Sequence, residues 1–204
     1  KDSGEYQFYK PYEIQPADFQ VTEKPGKIII RCEPKEVNGY SYQLTKEIQI
    51  LESGFRILYH LKNTGEKTIS TDEYNHNFMA INNEMVGVNY RLKFPFTMKP
   101  ELIEGNVNPE GKVNVGTNNF TFNGTPEKQF FFGNLSGGQT VDATWELINT
   151  STGIGIRETG SFKTNKINLW GWKQVISPEL FFSIRVEPGK EIEWSRTYSI
   201  FETK

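Results

Sequence analysis

Alternation of apolar and polar residues is the feature that most restricts what this chain can fold into. The run YSYQLTKEIQI (40–50) places Tyr, Leu and Ile on one face of an extended chain and Ser, Gln and Thr on the other. The run FRILYHL (55–61) alternates in the same way, and the ESG between them is typical of a tight turn. The two runs are therefore predicted to pair as one long antiparallel hairpin.

The remainder of the chain also indicates strands rather than helices. Alanine, the best helix former, occurs only at Ala17, Ala80 and Ala143, whereas Phe, Tyr, Thr, Ile and Val are abundant. Turn sequences such as NTGEK, NPEGK and EPGKE recur between short apolar runs, and no stretch has a sustained 3.6-residue period. Residues 1–204 are therefore predicted to form a single all-β domain, an antiparallel β-sandwich of two packed sheets.

Charge and cysteine content exclude several classes of protein. The formal net charge is −2 with both signs interspersed, so neither nucleic acid nor a membrane is an expected partner. No run approaches the ~20 apolar residues of a spanning helix, and no signal peptide is visible. The single cysteine, Cys32, cannot form an intrachain disulfide and is expected to be a small core or sheet-face residue. It slightly favours a cytoplasmic protein and is compatible with export.

No metal site and no cofactor are predicted. Two histidines and one cysteine without close spacing do not match a usual zinc site, and no calcium loop of the DxDxDG type occurs. A phosphate-binding glycine loop and a GxSxG elbow are also missing from the sequence. The chemistry that remains is a histidine paired with a carboxylate.

His76 is the stronger candidate of the two histidines. It lies in EYNHNF (73–78), after the second strand of the hairpin and between Asn75 and Asn77. His60 falls on the polar face of its strand and is expected to pack on the sheet surface. The residue types around His76 fit a ring that bonds the backbone of an irregular segment as well as they fit a functional role, and both alternatives stay open.

The C-terminal part of the chain contains a second candidate region. Trp170 and Trp172 alternate across a glycine, so on a strand they point to the same face. With Lys173 and Glu179 nearby they resemble a sugar-binding surface, because aromatic faces stack on pyranose C–H groups while charged groups bind the hydroxyls. Packing of both tryptophans in the core is the alternative. Pro178 is expected to interrupt its strand, so that the neighbouring carboxylate either projects into a cleft or, as is more common, faces water.

Three motifs follow one another in the chain: ILYHLKNTG, then EYNHNF, then ISPELFFSIRVEPGKEIEWSRTYSIF. Their order and spacing resemble the galactose mutarotase (aldose 1-epimerase) superfamily, from about Tyr40 to the C-terminus. The resemblance implies a large antiparallel β-sandwich, the supersandwich of that family. It also implies that residues 1–204 are the C-terminal two-thirds to three-quarters of such a domain, without its N-terminal strands.

The resemblance implies an acid–base opening of a sugar ring that interconverts α and β anomers. Glu179 matches the glutamate that acts as base on the anomeric hydroxyl, and His76 matches a histidine of the family. The substrate would be a small sugar or sugar phosphate. The side chains expected to bind it are Asn75, Asn77, Arg56, Trp170, Trp172 and Lys173.

One departure from the family leaves the activity open. Typical members have a second, downstream histidine that is commonly assigned as the acid, and no histidine follows His76 in this sequence. His76 could take the acid role, a tyrosine or Lys173 could substitute, or catalysis could be lost. A non-catalytic carbohydrate-binding sandwich is therefore the alternative function. A structural or partner-binding sandwich, in which His76 only fixes a bend, is the third hypothesis.

Overall fold

The chain is built almost wholly of β-strands, which confirms the all-β prediction. The computed structural model describes Tyr9, Pro11 and residues 13–203, and this part contains 16 strands and one three-residue 3₁₀ helix. No helix in the same part of the chain is long and apolar enough to cross a membrane. The strands are β1 (Phe19–Lys24), β2 (Lys27–Cys32), β3 (Tyr42–Leu51), β4 (Gly54–Asn63), β5 (Ile69–Glu73), β6 (Tyr90–Lys93), β7 (Glu104–Val107), β8 (Val113–Val115), β9 (Asn119–Phe122), β10 (Phe130–Gly133), β11 (Val141–Asn149), β12 (Ile154–Thr164), β13 (Ile167–Trp172), β14 (Val175–Leu180), β15 (Phe182–Val186) and β16 (Glu191–Glu202), with the 3₁₀ helix at Pro100–Leu102.

These strands form three antiparallel sheets. The largest has 10 strands in the order β1-β2-β3-β4-β16-β12-β11-β6-β9-β8. A sheet of 4 strands has the order β14-β13-β10-β7, and β15 pairs with β5 in a sheet of 2. Strand β16 therefore lies in the interior of the large sheet, between β4 and β12, although it follows both in the sequence.

The small sheets cover one face of the large sheet, and the core lies between them. Apolar side chains of the four-stranded sheet pack on those of β6, β9 and β11, and the two-stranded sheet covers Tyr59, Leu61 and Trp194. This arrangement confirms the predicted large antiparallel β-sandwich. The fully buried side chains at the first interface include Phe130, Phe132, Leu169 and Ile176 from the small sheet and Leu92, Phe120, Trp145 and Leu147 from the large one.

The predicted hairpin is present as β3 and β4. Leu44 pairs with Leu61, so apolar side chains are neighbours on the core face of the sheet. Gly54 follows the turn with a φ of 148°, and a Cβ there would lie 1.9 Å from the Tyr198 carbonyl oxygen of β16. Only glycine lets the hairpin approach β16 this closely. Cys32, at the end of β2, is buried, as the sequence predicted.

Candidate functional site

The segment that contains His76 runs antiparallel to β14 and β15. Glu73 pairs with Phe182 in the two-stranded sheet, and Met79 forms an isolated bridge with Ile176. The two pairs keep one register, which sets His76 directly opposite Glu179. Directly opposite residues of an antiparallel pair have neighbouring side chains, so the register itself brings the histidine and the glutamate together.

Pro178 opens the ladder on the side that faces His76. Both backbone bonds of the Met79–Ile176 pair are made, so the next hydrogen-bonded pair of a regular ladder would be Asn77–Pro178. Proline has no N–H, and that pair cannot form. The Asn77 N–H bonds Ser177 Oγ instead, and its side-chain amide donates to the Pro178 carbonyl oxygen.

The expectation that Pro178 interrupts its own strand is corrected by this arrangement. β14 continues through Pro178, which pairs with Leu169 of β13. The interruption instead affects the neighbouring segment 74–78, which is not a strand. Phe78 in that segment has a φ of 46°, in the left-handed region that side chains other than glycine rarely adopt. An irregular segment therefore holds His76 over a regular strand that holds Glu179.

The histidine and the glutamate form a hydrogen-bonded pair with unequal exposure. His76 Nδ1 lies 2.8 Å from Glu179 Oε1, and the two side chains are 54% and 5% exposed. The carboxylate fixes the ring orientation through Nδ1 and leaves Nε2 as the second site of proton exchange. Tyr74 Oη lies 3.5 Å from that nitrogen.

The pair lines a cavity of about 260 Å³ with largely aromatic walls. The His76 ring is stacked on Phe78 at a centroid distance of 5.4 Å, and Phe78 meets Trp170 edge-on at 5.5 Å. Phe131 of β10 and Asn168 of β13 complete the wall opposite the irregular segment. An aromatic cavity with one amide and one acid–base pair has the composition of a small polar-ligand site.

Burial changes the acidity of Glu179. Desolvation raises the pKa of the Glu179 carboxyl above its ordinary value, and the neighbouring His76 and Ser177 side chains only partly oppose this rise. Such a shift moves a glutamate toward the pH range in which it exchanges protons with neutral water and with substrates.

Asn75 and Asn77, which flank His76, turn inward and fix the segment. The amide of Asn75 donates to the hydroxyls of Tyr59 and Tyr198. Asn77 donates to Glu158 Oε2 and accepts from the Tyr198 hydroxyl at 2.7 Å. The structure therefore places these two amides behind His76 rather than in the wall of the cavity.

A fully buried charged network lies below Asn77. Glu158 and Arg196 are both 0% exposed, and Arg196 Nη1 donates to Glu158 Oε1 at 2.7 Å. Arg196 Nη2 also bonds Glu73, at the start of the His76 segment, and Trp145 Nε1 donates to Glu158. Burial alone would lower the pKa of Arg196, but the two carboxylates raise it beyond its already high ordinary value. The guanidinium therefore stays charged and ties β16 and β12 to the end of β5.

Three other predicted residues lie outside the cavity wall. Trp172 shares the outward face of β13 with Trp170, but its indole N–H bonds the Glu127 carbonyl oxygen. Lys173 lies over the Trp172 ring and pairs with Glu127 at 3.5 Å. Arg56 lies on the face of the large sheet opposite Tyr59 and bonds Ser195 Oγ. The structure thus brings together His76, Glu179 and Trp170 from the predicted set.

Sequence reasoning did not identify Asn168, Phe131 or the network around Arg196. A signal for the network was present: Trp194, Arg196 and Tyr198 alternate on one face of β16, and an arginine among core-facing aromatics requires a buried acid. Phe131 and Asn168 gave no such signal, because their position depends on how β10 and β13 pair.

No group of three or more His, Cys, Asp or Glu side chains within residues 13–203 has the arrangement to hold a metal ion.

Comparison with known proteins gives matches in fold alone. No protein-family model matches the chain, and no curated protein matches its sequence. A protein from Escherichia coli K12, provisionally assigned as an aldose 1-epimerase, superposes with a TM-score of 0.63 at 9% identity, over 91% of this chain and 69% of that one. A galactose mutarotase-like protein from Lactobacillus casei gives 0.63 at 12% identity, over 90% and 73%. A galactose mutarotase related enzyme from Lactobacillus acidophilus gives 0.62 at 9% identity, over 92% and 72%.

Proposed function

Because the chain has the fold of the galactose mutarotase-like proteins, we propose that it binds an aldose at the His76–Glu179 pair and interconverts its α and β anomers. The observation that carries the proposal is the 2.8 Å contact between His76 Nδ1 and Glu179 Oε1 at the wall of an aromatic cavity. A buried carboxylate and a half-exposed imidazole are the two groups that acid–base opening of a sugar ring requires.

The cavity walls support sugar binding. Trp170, Phe131 and Phe78 offer aromatic surface, which packs on the C–H groups of a pyranose ring. Asn168 supplies an amide that can both donate to and accept from hydroxyl groups. Phe78 meets Trp170 edge-on, and both rings are apolar, so this part of the wall would favour the apolar face of a sugar.

The proposed reaction starts with Glu179 ionised and His76 protonated, and in this state one proton is taken from the sugar and one is given to it. Ionised Glu179 takes the proton of the anomeric hydroxyl O1 while protonated His76 gives its Nε2 proton to the ring oxygen O5. The C1–O5 bond breaks, C1 becomes the aldehyde carbon, and both side chains are left neutral. Rotation about C1–C2 and the reverse transfers close the ring to the other anomer.

Adjacent positions of the acid and the base are compatible with this reaction. O1 and O5 are both bonded to C1, so a donor and an acceptor on the same side of the sugar can serve both oxygens. His76 would then supply the acid role for which the sequence offers no downstream histidine. The Tyr74 hydroxyl, 3.5 Å from Nε2, would exchange protons with the imidazole between turnovers.

Saturation-exchange NMR of α and β anomer signals tests the proposal, with a panel of free and 6-phosphorylated aldoses. Glu179→Gln keeps the shape and removes the base, and we expect it to lower the catalysed rate by about 10²–10⁴-fold. The matched control is Glu191→Gln, because Glu191 pairs with the other histidine, His60, at 3.3 Å on the exposed surface. An unchanged rate in Glu179→Gln, or an equal loss in both variants, would contradict the proposal.

Non-catalytic carbohydrate binding is the second candidate. The titratable groups that line the cavity are Tyr74, His76 and Glu179, and His76 contacts the other two. All three lie on one side, so the opposite wall supplies no acid, which favours binding without catalysis. In that case a sugar would broaden its own NMR signals and change tryptophan fluorescence through Trp170 without faster anomer exchange. Loss of the fluorescence change in Trp170→Phe, with the change retained in Trp172→Phe, would locate the ligand in this cavity.

A further inference from the structure

A second cavity continues from the candidate site along the outer face of the four-stranded sheet. Its volume is about 560 Å³, and it shares the walls formed by Phe131 and Asn168 with the smaller cavity at His76. Small-molecule sites usually measure ~300–1,000 Å³. The cavity at the His76–Glu179 pair, at about 260 Å³, falls below this range by itself and falls within it once the neighbouring space is included.

The second cavity arises from an irregularity between β7 and β10. Phe131 pairs with Val107 and Gly133 with Glu104, so the register shifts by one residue between the two pairs, as in a β-bulge. Gly105, with a φ of 58°, and Gly133 line this space without side chains. A Cβ on Gly133 would lie 3.0 Å from the Glu104 carbonyl oxygen, so the backbone itself forms the floor of the cavity.

Amide groups dominate its polar lining. Asn134, Asn165 and Asn168 line the cavity together with Lys166 and Glu104. Asn168 accepts from the Asn134 N–H, and among the described residues its own side-chain N–H₂ donates no hydrogen bond, nor does that of Asn165. Free amide donors and acceptors on an open floor are suited to bind hydroxyl groups.

The charges of the lining are balanced. Lys166 lies over the Phe181 ring and 3.6 Å from Asp72 Oδ2, so a carboxylate already partners its ammonium group. Glu104 adds a negative charge to the lining. A phosphate group needs concentrated, unpaired positive charge, which this lining does not supply.

We infer that the second cavity binds the second pyranose unit of a neutral reducing oligosaccharide whose terminal anomeric carbon lies at the His76–Glu179 pair. This inference rests on the proposed function and narrows its substrate class. Phe131 and Asn168 would contact both sugar units, since they form the boundary between the two cavities. A free hexose would fill the first cavity alone.

The test compares kcat/KM for anomer exchange of glucose, galactose, glucose 6-phosphate, maltose, cellobiose and lactose by NMR. We expect at least one disaccharide to exceed the monosaccharide of its reducing end by about tenfold, because one or two added hydrogen bonds contribute about that factor. Equal values for all sugars, or a preference for glucose 6-phosphate, would overturn the inference while leaving the proposed function intact.

A steric variant provides the second arm. Asn165→Trp would fill the second cavity from an exposed bend, and we expect it to abolish the disaccharide advantage while keeping the monosaccharide rate. The matched control, Asn114→Trp, changes an exposed asparagine of β8 that lines neither cavity. A disaccharide advantage that survives in Asn165→Trp would overturn the inference.

Saturation-transfer NMR separates failure of the inference from failure of the proposed function. If no sugar is anomerised, the proposed activity fails, and the inference is then judged on binding. Transfer to protons of the non-reducing unit of a disaccharide, lost in Asn165→Trp and kept in Asn114→Trp, would support the second cavity. Transfer to the reducing unit alone would overturn it.

Discussion

Two pairs of a basic side chain with a glutamate, Arg196–Glu158 and His76–Glu179, lie close together and differ in their access to water. Glu158 and Arg196 are 0% exposed and are further bonded by Trp145, Asn77 and Glu73. His76 and Glu179 are 54% and 5% exposed, and within the described part of the chain no second basic side chain pairs with Glu179. A pair that is fully buried has no access to a ligand and serves to hold strands together. A pair with one exposed member can exchange a proton with a ligand.

Asn77 connects the two pairs. Its side chain bonds Glu158 and the Pro178 carbonyl oxygen, and its backbone bonds Ser177 in the strand of Glu179. The buried network therefore orients the segment that holds His76 without contacting the cavity. A buried ion pair below the site can thus give the histidine a defined position while its ring stays accessible to a ligand.

Breaking the buried pair should have the largest effect on stability. Arg196→Met leaves Glu158 as an uncompensated charge without solvent, and we expect the free energy of unfolding to fall by about 3–5 kcal/mol in urea titrations. Arg157→Met is the matched control, since Arg157 pairs with Glu146 on the surface, and it should cost at most about 1 kcal/mol. Equal losses of stability in the two variants would contradict a special role for the buried Arg196–Glu158 pair.

Removing the connection between the pairs should have an intermediate effect. Asn77→Ala withdraws a donor from Glu158 and an acceptor from the Tyr198 hydroxyl, and we expect a loss of about 1–3 kcal/mol. It should also lower kcat for the proposed reaction more than it changes KM, because the His76 ring loses its defined position. Asn75→Ala, which removes longer bonds to two tyrosine hydroxyls, should cost less by the same measurement. A larger loss in Asn75→Ala would be evidence against this role of Asn77.

The smallest expected effect is a change in how the stability of the folded protein depends on pH when Glu179 is replaced. Because burial raises the pKa of Glu179 in the folded state, folded protein binds more protons than unfolded protein between the ordinary and the raised pKa. The contribution of this residue is full below the ordinary glutamate range and is lost as the pH rises through the raised pKa. Glu179→Gln should therefore gain stability relative to the parent chain as the pH rises, with no difference at low pH. A gain in stability that grows toward low pH would contradict a raised pKa of Glu179 in the folded protein.

Much of the fold could be predicted from the sequence because it depends on local pattern. Alternation in residues 40–61 identified β3, β4 and the turn between them, and the absence of helical periodicity identified the fold class. The same reasoning proposed His76, Glu179 and Trp170, which lie together in the structure. His76 stood out because histidine is rare in this chain, and Trp170 because it alternates with Trp172 across a glycine. Glu179 stood out because it follows a proline in a strand-like run.

The positions of the other candidate site residues depend on pairing between segments that are distant in the sequence. Arg56 follows the alternation of its strand to the outer face, and Trp172 and Lys173 lie near Glu127 beyond the cavity, which only the β13 register reveals. The asparagines beside His76 turned inward because Glu158 and two tyrosines lie there. A local pattern contains no information about these distant partners.

The interior position of β16 also determines when the large sheet can be completed during synthesis of the chain. β4 and β12 leave the ribosome before β16, yet each of them pairs with it and not with the other. Both wait with an unpaired edge until residues 191–202 emerge, and non-local pairing of this kind makes folding slow. Arg196 arrives with the same strand. The anchor of the His76 segment is thus among the last described parts of the chain to be made, and a nascent protein has no organised site until it is in place.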